Sequence, residues 1–165
     1  MSELRTNRIV PRDGLVSGAS GGVIQVVFFS LATGSTVTVN GTALVDVLTA
    51  TITPTRSDSK ILVQVTSAPK TNGGSANFQF GAQIQRNSTT IMYDNEYLQM
   101  NNGYAPNAFT GAYTVLDSPA STSALTYKFR CSRSVSGREL YFENSTDNTG
   151  NYYNKHTMTL MEVSA

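Results

Sequence analysis

The cleanest pattern in the chain lies at residues 78–85, where Phe78, Phe80, Ala82 and Ile84 alternate with Gln79, Gly81, Gln83 and Gln85. Successive side chains of an extended chain point to opposite faces, so this period of two predicts an antiparallel strand with one face in a core and one in solvent. The same alternation recurs. Leu48, Ala50 and Ile52 alternate with Thr49, Thr51 and Thr53 until Pro54 ends the run. Ile61, Val63 and Val65 alternate with Leu62 and Gln64, and Leu125, Tyr127, Phe129 and Cys131 with Thr126, Lys128 and Arg130. Further strand-like runs occupy residues 23–31, 35–39, 89–94, 109–116, 138–143 and 156–163. Asn40-Gly41 suits a type I′ hairpin turn, and Asn72-Gly73-Gly74, Asn87-Ser88 and Asn101-Asn102-Gly103 mark further turns or loops. About ten strands at 8 to 12-residue spacing, with no helical period of useful length, predict an all-β antiparallel sandwich of jelly-roll type. One short helical turn is predicted between Asp117 and Ser123, because Ser118-Pro119 suits a helix start.

Three runs are apolar on both faces: residues 23–31, residues 61–65, and the last strand, with Met158, Leu160, Met161 and Val163. A two-layer sandwich buries only one face of each sheet. The surplus predicts a covering partner, read as further copies of the chain in a homotrimer ahead of a homodimer, although central strands beneath long loops would show the same pattern.

Residues 1–22 lack any period, and Pro11, Gly14, Gly18, Gly21 and Gly22 exclude a continuous helix. The chain therefore divides into an arm and Gly/Ser hinge, 1–22, and a β-domain, 23–165. A flexible tail is the plain alternative for any terminus, but Leu4, Ile9 and Val10 have no reason to be apolar in a merely solvated arm. The arm carries Leu4-Arg5-x-Asn7-x-Ile9-x-Pro11-x-x-Gly14, then Ser17-Gly18-Ala19-Ser20-Gly21-Gly22 and an apolar strand. Over residues 4–26 this resembles the opening of tail-associated virion proteins of marine tailed bacteriophages, cyanophages especially. The resemblance implies a virion structural protein, of the short tail fibre or fibre-tip type, whose Leu4, Arg5, Arg8, Ile9 and Val10 dock on other virion proteins of the tail or capsid. A capsid decoration or head-fibre protein would use the same arm to grip the shell.

Composition narrows the chemistry. Charged residues make up 14% of the chain and 12 Lys plus Arg nearly balance 11 Asp plus Glu, so no field exists to hold nucleic acid. No apolar run reaches the roughly 20 residues that span a bilayer, so no membrane insertion is expected. Cys131 is the only cysteine, cannot form an internal disulfide, and reads as a small buried thiol. The Asn-x-Ser/Thr sequences at Asn40, Asn87 and Asn144 read as turn chemistry. His156 is the only histidine and reads as a strand-end or surface residue without a catalytic partner. No catalytic motif, metal set or cofactor site is evident, so no enzyme is expected. Asp94 and Glu96, two apart, could share a strand face for glycoside hydrolysis or a cation, and Asp147 to Asn151 could offer oxygen ligands, but such groups are commonly solvated or bonded locally. The best binding pointer is the set Tyr93, Tyr97, Tyr104, Tyr152 and Tyr153, placed in or beside Asn/Gly-rich loops. Rings that combine a flat apolar face with a hydroxyl suit a host-surface glycan or protein, and equally a subunit interface. A carbohydrate-binding or carbohydrate-cleaving module is the rival of a different class.

Overall fold

Alternation in the sequence becomes burial in the fold, and strand pairing decides the rest. The computed structural model describes residues 22–71, 78–100, 110–133, 139–146, 152–153 and 155–164. The arm with Leu4, Arg5, Arg8, Ile9 and Val10, the 72–74 turn, the 101–107 loop and the 147–151 loop lie outside the described residues. Among those described, the regular structure is strand throughout: β1 (Val23–Ser30), β2 (Ser35–Val39), β3 (Val45–Ile52), β4 (Lys60–Ser67), β5 (Lys70–Thr71), β6 (Phe78–Arg86), β7 (Thr89–Met100), β8 (Gly111–Asp117), β9 (Leu125–Arg133), β10 (Leu140–Thr146), β11 (Tyr152–Tyr153) and β12 (Thr157–Val163).

Two four-stranded antiparallel sheets carry the core, a first in the order β1-β12-β4-β8 and a second in the order β3-β9-β6-β7. A side sheet runs β11-β10-β2, with β5 also paired to β10. Ile61, Val63, Val65, Met158 and Leu160 of the first sheet are buried, as are Leu48, Ala50, Ile52, Phe80, Ala82, Ile84, Tyr127 and Phe129 of the second. Each large side chain so buried contributes about 1.5–3 kcal/mol. Phe142 of the side sheet meets Phe129 edge-on at 6.5 Å between ring centres and His156 at 5.4 Å. It thus wedges the side sheet against both main sheets.

Several expectations need correction. Asn40-Gly41 joins no hairpin: β2 pairs with β10 and β3 with β9, so the dipeptide links two sheets. Buried Val37 and Val39 faces find their partners in Phe142 and Leu140, and that packing outweighs the local turn preference. The two-residue turn forms instead at Asn87-Ser88, where Arg86 pairs with Thr89 and Asn87 adopts φ 50°. No helical turn follows Asp117. Its side chain is tied to Arg86 and Tyr127, and Ala120 has φ 49°, outside helical space. Asn144 is no turn residue, being buried in β10 with its amide donating to the Leu31 carbonyl. Gln83, expected in solvent, is only 8% exposed because it donates to Thr90 Oγ1 at 2.9 Å and accepts from Arg130 at 3.2 Å.

Candidate functional site

The outer face of the first sheet is the candidate. Register places Val26 opposite Met161, Met161 opposite Leu62, and Leu62 opposite Leu116. Cross-strand partners have Cβ atoms roughly 4.5–5.5 Å apart, so these four side chains form one apolar row across the full sheet. Val26 is 56% exposed and Leu116 54%. Val23 and Ile24 extend the apolar surface toward the start of β1 and are also exposed. In the other direction Phe28 continues the apolar surface along β1 while the strands behind it turn polar: Phe28 lines up with Thr159, Gln64 and Thr114, and Ser30 with Thr157, Thr66 and Ala112. Between Val26 and Leu116, Met161 and Leu62 are half-buried. A contiguous apolar surface bounded by polar residues is the usual mark of an interaction surface, whereas scattered single residues are not.

The buried polar groups are occupied in holding the fold. His156 is fully buried, not at the surface. The Ala68 N–H donates to its Nδ1 at 3.3 Å, so Nε2 carries the proton and donates to the Glu143 carbonyl at 3.2 Å. Ser67 Oγ lies 3.0 Å from the same Nδ1 and donates to it. This Ser–His contact has the spacing of a nucleophile and its base, but Ser67 is 4% and His156 0% exposed, so no substrate reaches the hydroxyl. Burial pushes the His156 pKa below its ordinary value. Glu162, also fully buried, faces inward beside Leu160. Its Oε2 accepts from Gln25 at 2.6 Å, and its Oε1 from the Thr55 N–H at 2.8 Å, the Thr55 hydroxyl at 2.9 Å and the Arg56 N–H at 3.3 Å. Burial alone would raise its pKa, but hydrogen bonds from Gln25 and Thr55 pull it down to about 2. Asp117 accepts from Arg86 at 2.6 Å and from the Tyr127 hydroxyl at 2.7 Å. Cys131 is buried, as expected, and desolvation pushes its thiol pKa up, so it is no reactive thiolate.

On the outer face of the second sheet, Asp46 accepts from Lys128 and Arg130, each at 2.6 Å, while Arg130 also donates to Gln83 and Gln85. Burial opposes ionisation of Asp46, but the two cations hold its carboxyl below the usual range. Tyr93 lies on this face, within β7 as the 89–94 run predicts, and is 52% exposed. A Cβ at Gly81 would stand 3.6 Å from its hydroxyl and 3.2 Å from both the Asp94 carbonyl and Ser132 Oγ, which is why glycine sits there. Tyr97 belongs to the same strand, and Tyr152 and Tyr153 form β11. The side chains of those three, and all of Tyr104, lie outside the described residues.

Asp94 pairs with Ala82, and the register slips before Phe80 meets Leu98, so plain alternation does not run from Asp94 through Glu96. The Glu96 side chain is outside the described residues. Among the described residues, no three His, Cys, Asp or Glu side chains are grouped to hold a metal ion. The apolar row was half legible in the sequence: two-faced strands signalled surplus apolar surface, but only register aligns it. Comparison of the chain with protein-family models and with curated proteins finds no match.

Proposed function

We propose that the chain is a non-enzymatic structural protein of a tailed-phage virion, a trimeric tail fibre or fibre-tip protein with a jelly-roll domain. Its arm residues Leu4, Arg5, Arg8, Ile9 and Val10 dock on the particle, and the domain contacts the host surface. The observation that carries the assembly part of this reading is the outer-face row Val26, Met161, Leu62 and Leu116, exposed at both ends and half-buried between, an apolar surface that a second copy would cover. The jelly-roll part is supported by strand order. Taking the eight main-sheet strands in chain order, the first sheet reads first, eighth, third, sixth and the second reads second, seventh, fourth, fifth. That is the order of two interleaved Greek keys, a double-sheet architecture of viral capsid and lectin domains. It favours the capsid decoration protein as the second reading.

Sedimentation velocity tests assembly. The wild-type chain should sediment as a trimer at micromolar concentration, and Leu62→Asp with Leu116→Asp should sediment as a folded monomer. A monomeric wild type overturns the assembly reading. Deleting residues 1–20 should leave melting unchanged and abolish incorporation into particles, and a deletion variant that is still incorporated overturns the docking role.

A further inference from the structure

Where β1 ends and β12 begins, Phe28, Ser30, Thr33, Asn144, Lys155 and Thr157 line an open cleft of about 360 Å³. That size lies near the lower end of the roughly 300–1,000 Å³ typical of small-molecule sites. Its walls come from both the first sheet and the side sheet, and short bonds lock them together. Asn144 Nδ2 donates to the Leu31 carbonyl at 2.5 Å, the Gly34 N–H to the Asn144 carbonyl at 2.6 Å, and the Leu31 N–H to the His156 carbonyl at 3.0 Å. Phe28 is 65% exposed, the most of any large apolar side chain among the described residues. Its partner across the strand pair is Thr159, and its neighbours along its own face are Val26 and Ser30, so it stands where the apolar surface meets the polar end of the face.

An exposed aromatic face beside three hydroxyl-bearing side chains and an exposed lysine matches one ligand chemistry well. A pyranose ring offers C–H bonds to stack on Phe28 and hydroxyls to pair with Ser30, Thr33 and Thr157, and a carboxylate on the sugar would face Lys155. We infer that this cleft binds an acidic saccharide, with Phe28 as the stacking platform and Lys155 as the selector for the carboxylate. The inference goes beyond the structural-protein reading and does not rest on it, because a lectin-like module could carry the same cleft.

The test titrates the full chain with α-1,4-digalacturonate and with neutral α-1,4-digalactose by calorimetry. The acidic sugar should bind more tightly than the neutral one. Phe28→Ala should weaken both about tenfold, the scale of a lost aromatic contact. Lys155→Gln should abolish the preference for the acid and leave neutral-sugar binding unchanged. No heat from digalacturonate at about 10 mM, where even weak single-site complexes saturate, overturns the inference. Equal binding of both sugars, or wild-type binding by Phe28→Ala, overturns it too. The Leu62→Asp, Leu116→Asp variant should bind digalacturonate as the wild type does, which separates this inference from the fate of the trimer.

Discussion

Replacing Glu162 by Gln swaps one carboxylate oxygen for an amide group of nearly the same shape, in a site where every neighbour is a donor. Four hydrogen bonds converge on the carboxylate, three of them on Oε1. If the new NH₂ group faces Thr55 and Arg56, two backbone N–H groups lose their acceptor. If it faces Gln25, that residue must flip its own amide and give up its 2.7 Å bond to the Thr53 carbonyl. The first choice strands two backbone donors, the second leaves the Thr53 carbonyl without its donor, and either removes the charge that strengthens the remaining bonds. A hydrogen bond to a charged group is worth about 1.5–3 kcal/mol and a stranded donor about 1–3 kcal/mol, and because these overlap we expect a net loss of ~2–4 kcal/mol. For a chain of this size that lowers the melting temperature by roughly 5–12 °C. Urea unfolding followed by far-ultraviolet circular dichroism at pH 7 measures it. A loss under about 0.5 kcal/mol, the range of an ordinary surface substitution, would refute the latch. The pH profile gives a second check. The unfolded chain protonates this carboxyl near 4.5 and the folded chain only near 2. The stability from ionised Glu162 is therefore complete above about pH 4.5 and lost as pH falls toward 2. In Glu162→Gln that part of the acid-unfolding curve should flatten.

Phe80→Ala should cost ~3–5 kcal/mol in chemical denaturation, since the ring is fully buried between the sheets. Gln83→Ala should cost about 1–2 kcal/mol, because its bonds to Thr90 and Arg130 are lost and Arg130 keeps Asp46; a loss indistinguishable from zero would return Gln83 to the solvent face. His156, held neutral with a pKa below its ordinary 6.5, should make stability complete above about pH 6.5 and fall as pH drops below it. Melting curves of wild type and His156→Gln between pH 5 and pH 8 check this, and a wild type that gains stability on acidification through that window would contradict the buried, proton-accepting Nδ1.

Much of the strand content was readable from residues alone. Leu125, Tyr127, Phe129 and Cys131 alternate in sequence and are all buried, and Ile61, Val63 and Val65 do the same in β4. Gln83 and Glu162 were not readable in this way. Alternation assigns Gln83 a face but says nothing of Arg130 reaching across from β9. Glu162 looks like any exposed strand carboxylate until the 53–56 segment folds over it. His156 likewise shows no partner in sequence, since its ring bonds the Ser67 hydroxyl and the Ala68 and Glu143 backbones, contributed by β4, the residue just after it, and β10.

By itself the sequence determined the all-β class, the approximate strands and the inward residues of the main sheets. These follow from the pleat, a local geometry that sends every second side chain the same way. Tertiary structure decided which strands pair, and with that the site. Asn40-Gly41 could not announce that β2 would pair with β10, because partner choice is settled by burial of Val37 and Val39 against Leu140 and Phe142, far along the chain. The apolar row draws Val26, Leu62, Leu116 and Met161 from four strands, and Phe28 meets Lys155 only because the first and last strands of the chain lie side by side. Such alignments depend on register between distant segments, and a one-residue slip in any of them would turn the row from the outer face to the core.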